Sequence, residues 1–441
     1  MRPRICELFD TTTTREYTLL DEVIKKDWLV NGETFKPVII PRGIKNPACY
    51  LCNERISQVH WFYHKLCSEC GEVSYRKRNF TKDLTGYKAI VTGGRVKLGY
   101  QIVLKLLRAG ASVMITSRNW ENALIRYKDE PDYESWGGRL HVCKINFDLL
   151  KIDQLLQEFD QELDRIWPDD PSIDIVIHNA AQTICDVAEV PFESKKRKRE
   201  PEDNFPNKSA RIEDSQKKSR KYPPIEWVET VFPEVDRYQR KIDQRETNTW
   251  SAKFGSVGIE EAKQVLIANA WAPFVLNQFL LPRLMASQYN GYIIHVHAKE
   301  GHFNSHKTLC HMHTNMAKAA LSMMTRCLAK PMTTYSDRQE YQTVMAKDLP
   351  WVDRYSKAVV TNDIRHRGRN EHDLTKEIRV HGVDPGWFSV DEYTKESRIK
   401  KNLFFSVIDE IDAASRVVHP IFTEAQSFPG TWRHYVPLIN F

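Results

Sequence analysis

The sequence predicts an α/β protein, a doubly wound parallel sheet with a small four-cysteine module ahead of it. Two observations predict the sheet. Short apolar runs alternate with helix-length amphipathic segments from Tyr87 onward, and the first run ends in Thr92-Gly93-Gly94 before a helix opens at Gly99. The module rests on a third: Cys49 and Cys52, then Cys67 and Cys70, form two CxxC pairs separated by 14 residues.

The chain has 441 residues, of which 41% are hydrophobic, enough for a substantial core, and 28% charged, which predicts polar segments alongside. A net charge of +6 is modest for this length and by itself argues nothing about nucleic acid. No uninterrupted apolar run reaches about 18 residues, so no transmembrane helix is expected. The start, MRPRICELFD, turns polar and acidic where a signal peptide needs an apolar run, which makes a soluble intracellular protein the expectation. Nine cysteines in such a chain read as metal ligands or buried thiols rather than disulfides.

The elements follow in order. Residues 1–45 are weakly patterned, with one short helix expected over 18–28, and 46–80 hold the paired cysteines. Strands are expected at 88–92, 112–116, 141–145 and 173–178, with helices at 100–109 and 149–166 between them. Residues 186–250 are rich in Lys, Arg, Glu, Asp, Ser and Pro and read as a disordered basic insertion. A long helix over 258–285, a strand at 292–297 and a helix at 314–328 precede a second insertion at 331–376. A strand at 378–383, a helix at 412–418 and a last strand near 432–436 complete the pattern.

The segment YKAIVTGGRVKLGYQIVLKLLRAGASVMITSRN carries the most chemistry. A buried strand turning at Thr92, Gly93 and Gly94 into a helix at Gly99 is the arrangement a pyrophosphate needs: glycine lets backbone approach, and the helix N-terminus supplies positive potential. This makes the sheet Rossmann-type. TGGRVKLG resembles the TGxxxGxG fingerprint of the short-chain dehydrogenase/reductase family, and His178-Asn179-Ala180-Ala181 resembles its NNAG element. The resemblance extends over 84–441 apart from the insertions. It implies that Asp148 contacts the adenine, that Asn179 and Ala180 border the cofactor, that Asn269 is the family's structural asparagine, and that Pro385 and Gly386 form the turn beside the nicotinamide. Lys97 replaces the middle glycine, where it could crowd the pyrophosphate or contact a phosphate through its ammonium. Ser117-Arg118-Asn119 ends the second strand without the acidic residue that binds a ribose 2′-hydroxyl, so Arg118 favours NADP(H) over NAD(H).

Active members of that family use Ser, Tyr and Lys around a carbonyl. Here Lys318 matches the lysine, Thr314 stands where the tyrosine belongs, and Ala298 stands at the serine. Threonine has a higher pKa and a shorter reach than a phenol, so cofactor binding survives these changes better than proton transfer. The segment is rich in histidine, and His297 and His313 are the best placed substitutes as proton donor.

Two CxxC pairs read as a structural zinc site on a ribbon-like module of two knuckles, since four thiolates leave no open position for chemistry. His60 and His64, between the pairs, read as surface residues. Arg76, Lys77 and Arg78 follow closely, but a stabilising or protein-contact role fits better than nucleic acid. Within the first insertion, Lys195, Lys196, Arg197, Lys198 and Arg199 followed by Lys217, Lys218, Ser219, Arg220 and Lys221 read as a bipartite signal for the nuclear import machinery. The nucleus is therefore the expected compartment, with the cytoplasm as the alternative. Two functions stand side by side: an NADP(H)-dependent oxidoreductase with an altered proton donor and an unidentified small-molecule substrate, or a nucleotide-binding regulator that has lost the chemistry. The resemblance also implies a homodimer.

Overall fold

Strand β3 (Lys88–Thr92) pairs in parallel with both β4 (Ser112–Thr116) and β6 (Ile175–His178), which makes it the centre from which the sheet grows in two directions. The full order is β10-β9-β8-β7-β6-β3-β4-β5, where β5 is Leu140–Val142, β7 Gly291–Val296, β8 Ile378–Asp384, β9 Thr431–Arg433 and β10 Val436–Leu438. Every neighbouring pair is parallel except β9 with β10. The single last strand expected near 432–436 is thus two short antiparallel strands. The computed structural model describes residues 38–39, 48–63, 65–183, 248–329, 377–388, 407–427, 431–433 and 436–438, all within one compact unit. The expected helix over 18–28, the two basic clusters and the insertion at 331–376 lie outside the described residues.

The strands are near-continuous apolar runs because helices cover both faces. On one face lie α2 (Lys97–Arg108), α3 (Trp120–Lys128) and α7 (Glu410–Phe422); Ile102, Val103, Leu106 and Leu107 of α2 pack there with Ala414, Val417, Val418 and Ile421 of α7. On the other face lie α4 (Ile152–Ile166) and α5 (Ile259–Met285), whose Phe159, Leu163, Leu276 and Leu280 meet Val176 and Ile293 of the sheet. Helix α6 (Met312–Leu328) packs beside α5 through Val265 and Ala317.

Helix α5 is long and apolar enough to cross a membrane by length and composition, with a mean hydropathy of 1.4 over its most apolar window. Of that window 67% is buried inside the protein, the property of a core helix. A π-helical turn at Ile267–Trp271 interrupts it. Pro273 has no N–H to offer the Asn269 carbonyl four residues earlier, which favours the wider turn.

The cysteine module is one knuckle followed by a helix, not two knuckles. Cys49 and Cys52 lie on a tight turn, whereas Cys67 caps and Cys70 lies within the first turn of α1 (Ser68–Asn79). A short antiparallel pair of β1 (Val38–Ile39) with β2 (Gln58–Val59) flanks the knuckle. His60 is buried, not at the surface: Phe62 N–H donates to its Nδ1 at 3.1 Å, and its ring packs so closely on α1 that a Cβ at Gly71 would lie 2.2 Å from it. His64 lies outside the described residues. Arg78 is likewise internal. Its guanidinium donates to both oxygens of Asp409 at 2.6 and 2.8 Å and approaches Asp412 at 3.0 Å, so it fastens α1 to α7 instead of offering charge to a partner.

Candidate nucleotide site and four-cysteine centre

The topological switch between β3 and β6 opens a crevice at the carboxyl ends of the strands, the place where doubly wound sheets bind ligands. There β3 turns through Gly93 (φ +71°), whose N–H and that of Gly94 both donate to Thr116 O, at 3.0 and 3.2 Å. Asn179 closes the turn from β6: its Nδ2 donates to Thr92 O at 3.1 Å and to Gly93 O at 3.2 Å. Thr92 Oγ1 accepts from the N–H groups of Asn179 and Ala180, each at 3.1 Å. A Cβ at Gly99 would meet Gly93 O at 2.2 Å, so only glycine leaves the turn intact. Lys97 takes φ +52°, the left-handed conformation in which glycine is most at ease, so the loop keeps its path despite the substitution. Tyr127, absent from the sequence reading, donates its hydroxyl to Gly94 O at 2.5 Å from beneath.

At the neighbouring strand ends, Arg118 is exposed beside buried Ser117, whose Oγ accepts from Asn119 N–H. Arg95, in the glycine-rich loop, reaches Asn122 Oδ1 at 3.4 Å on the first turn of α3; it too escaped the sequence reading. Asp148 caps a short 3₁₀ turn by accepting from Leu150 N–H, and Phe147 N–H donates to Ser117 O, which ties the β5 end to the β4 end. These residues share one rim of the crevice.

On the opposite rim, Gly386 N–H donates to Asp384 Oδ1 and Gly386 takes φ +87°, which only glycine adopts easily. Buried Arg416 of α7 donates to Pro385 O at 2.9 Å. Asn269, in the π-turn of α5, donates through Nδ2 to Gln182 O and Val265 O, while its buried Oδ1 has no partner.

Lys318 is buried, and its Nζ donates to Val296 O at 3.0 Å. Burial pushes its pKa down to about 8, with Glu300 and Asp384 working against the fall. One turn earlier, Thr314 Oγ1 is buried without a hydrogen-bond partner. His313 is buried beside it, and burial lowers its pKa. The Thr183 backbone favours its charged form, yet no regular hydrogen bond reaches either ring nitrogen.

His297 is not available as an acid. Its Nε2 pairs with Thr325 Oγ1 at 2.9 Å and its Nδ1 with Ser322 Oγ at 3.1 Å. Burial, then the charge of Lys318, holds its pKa well below the ordinary value. It ends a buried chain in which His178 pairs with Asn277, Asn277 with His295, and His295 with the same Thr325. No periodicity or spacing signals this chain, because its members come from β6, β7, α5 and α6.

In the N-terminal module the sulfurs of Cys49, Cys52, Cys67 and Cys70 all lie within 4.8 Å of one another. Tetrahedral thiolates about 2.3 Å from a zinc ion stand about 3.8 Å apart, and Cys52 Sγ is 3.8 Å from Cys67 Sγ. The Cys67 N–H donates to Cys49 Sγ at 3.3 Å. Hydrogen bonds from Cys49 and Cys70 favour the Cys67 thiolate, while burial pushes Cys52 up to about 12. Four sulfurs this close match the ligand spacing around one metal ion, so the donor set fits a closed, structural zinc site.

No family model matches the chain. Solved structures similar to it include a dehydrogenase/reductase from Sinorhizobium meliloti (16% identity, TM-score 0.46, covering 82% of this chain and 97% of that one). Another is a Burkholderia cenocepacia short chain dehydrogenase in complex with NADP (16%, TM-score 0.45, 79% and 96%). A third is the Pseudomonas aeruginosa RhlG/NADP complex (17%, TM-score 0.39, 73% and 78%). The Rossmann-type assignment stands on this chain's own strand order. Among curated proteins, the Uncharacterized protein R665 of Acanthamoeba polyphaga mimivirus is 37% identical over 441 residues, spanning 98% of this chain and 84% of the relative. Identity of that extent places the chain in one family with this mimivirus protein.

Proposed function

We propose that the chain is an NADP(H)-dependent oxidoreductase of the short-chain dehydrogenase/reductase type, acting on a carbonyl or alcohol substrate with a replaced proton donor. The observation that carries this reading is the glycine turn at Gly93 and Gly99, locked by Asn179 at the switch point, with buried Lys318 held on Val296 O at the end of β7. Gly93, Gly94, Lys97 and the start of α2 would take the pyrophosphate. Arg118, helped by Arg95, would take the 2′-phosphate in a charge-assisted fork. Asp148 would meet the adenine, Lys318 the nicotinamide ribose, and the turn at Pro385 and Gly386 the nicotinamide. A bound nicotinamide supplies the hydride chemistry. His313 is the best supported proton donor, since it is buried one residue from Thr314 with no regular hydrogen bond to either ring nitrogen.

A titration of the zinc-loaded protein with NADPH and with NADH, followed by turnover on a carbonyl panel, tests this reading. Selective NADPH binding with turnover supports it. Binding without turnover favours the second reading, a regulator, which Ala298 and Thr314 support by removing two hydroxyls. Binding of neither nucleotide overturns both.

The remaining expectations are part of the same proposal. The four cysteines hold structural zinc. The clusters at Lys195 to Arg199 and Lys217 to Lys221 direct nuclear import, which a fluorescent fusion with both clusters changed to alanine would test. Exposed Trp271 and Phe274 on α5 and Met316 and Met323 on α6 support pairing of two copies, to be read by light scattering.

A further inference from the structure

The cysteine module does not stand apart from the crevice. Tyr50 lies between Cys49 and Cys52 on the knuckle, buried, with its N–H donating to Lys65 O at 2.9 Å. Its hydroxyl accepts the Trp387 N–H at 2.8 Å, one residue past Gly386. The Lys65 ammonium lies 5.6 Å from the centre of the Trp387 ring, and Trp387 O accepts from Ile408 N–H.

A second route reaches the same turn. Tyr63 of the module donates to Asp412 Oδ1 at 2.5 Å, Arg78 grips Asp409 and Asp412, and Ser415 Oγ donates to Arg78 O at 3.2 Å. These bonds seat α7, whose Arg416 donates to Pro385 O at 2.9 Å. The turn at 385–387 is therefore held at one peptide by the knuckle and at another by a helix that the module anchors. The Asp384 carboxylate shapes the turn locally at Gly386, and the bonds from Tyr50 and Arg416 fix where that turn sits.

We infer that the four-cysteine module is a positioning clamp for the turn at 385–387, with Tyr50 as the positioning residue, so that metal occupancy sets the geometry of the nicotinamide end of the crevice. This rests on the nucleotide reading above for its functional half. Metal loss frees the knuckle, releases the Trp387 peptide and loosens the turn.

The test uses the zinc-loaded full chain and its Tyr50→Phe variant, which keeps the ring packing and removes the acceptor. A zinc-to-protein ratio equal to wild type verifies that the module is intact. Amide hydrogen exchange at Trp387 should quicken about tenfold in Tyr50→Phe, as expected for loss of one hydrogen bond, and at least as much in wild type after chelation. Unchanged exchange in both overturns the clamp. NADPH affinity should fall about fivefold to tenfold in Tyr50→Phe while affinity for 2′,5′-ADP, which lacks the nicotinamide half, stays at the wild-type value. Equal affinities for NADPH, or equal weakening of both ligands, overturns the functional half. If wild type binds neither nucleotide, the nucleotide reading fails by itself, and exchange at Trp387 still decides the clamp.

Discussion

Asn179 closes over Gly99: a Cβ at Gly99 would lie 2.5 Å from the Asn179 amide nitrogen and 2.2 Å from Gly93 O. No side-chain rotation relieves the second contact, because its partner is backbone. Gly99→Ala should therefore reduce NADPH affinity more than tenfold while leaving the sheet folded. Fluorescence titration alongside circular dichroism checks this. Unchanged affinity would mean that the turn does not hold the pyrophosphate.

Lys318 carries a pH signature. Burial brings its pKa to about 8, so its ammonium is present below that pH and is lost as pH rises through it. NADPH affinity should decline between pH 7 and 9 in wild type. In Lys318→Met it should start about tenfold lower and stay flat over that range. Parallel pH profiles in the two proteins would remove Lys318 from the site.

His313 and His297 separate chemistry from architecture. His313→Asn should lower turnover about a hundredfold with NADPH affinity unchanged. His297→Asn breaks bonds to Ser322 and Thr325 inside the core and should lower thermal stability. Full turnover in His313→Asn would assign the proton to another group.

The buried histidines make the fold acid-sensitive. Burial holds His178 and His381 at about 4, and His295 and His297 well below the ordinary 6.5. Below 6.5 the unfolded chain binds more protons than the folded one. Their contribution is therefore complete above that pH and is lost as pH falls toward 4. At pH 5 His178 and His381 each withdraw about 2 kcal/mol. Denaturant unfolding at pH 7 and pH 5 should show the difference, and equal stabilities would contradict it.

Metal removal acts on the same core. Tyr50, Leu51, Ile56, Tyr63 and Leu66 of the module belong to the apolar cluster formed by α2 and α7. Chelation, or Cys67→Ser, should lower the melting temperature by about 5–10 °C. Calorimetry with and without chelator measures it, and an unchanged melting temperature would leave the cysteines without a metal.

The sequence by itself determined the sheet and the position of the glycine turn within it. Lys88–Thr92 and Ser112–Thr116 are strands in the sequence reading and in the structure alike. Alternating apolar runs and glycine turns are local signals, written within a few residues and insensitive to what packs above them. The same locality revealed the four cysteines, since CxxC spacing fixes two sulfurs on one short turn.

Tertiary structure decided what each side chain is free to do. His297 and His313 look alike in sequence, yet Ser322 and Thr325 occupy both nitrogens of the first and no regular hydrogen bond reaches the second. His60 reads as a surface residue until Gly71 supplies the space that buries it. Tyr50 and Trp387 are 337 positions apart, and only the docking of the module on α7 brings them to 2.8 Å. Hydrogen-bond partners and desolvation depend on such distant neighbours, which no periodicity records.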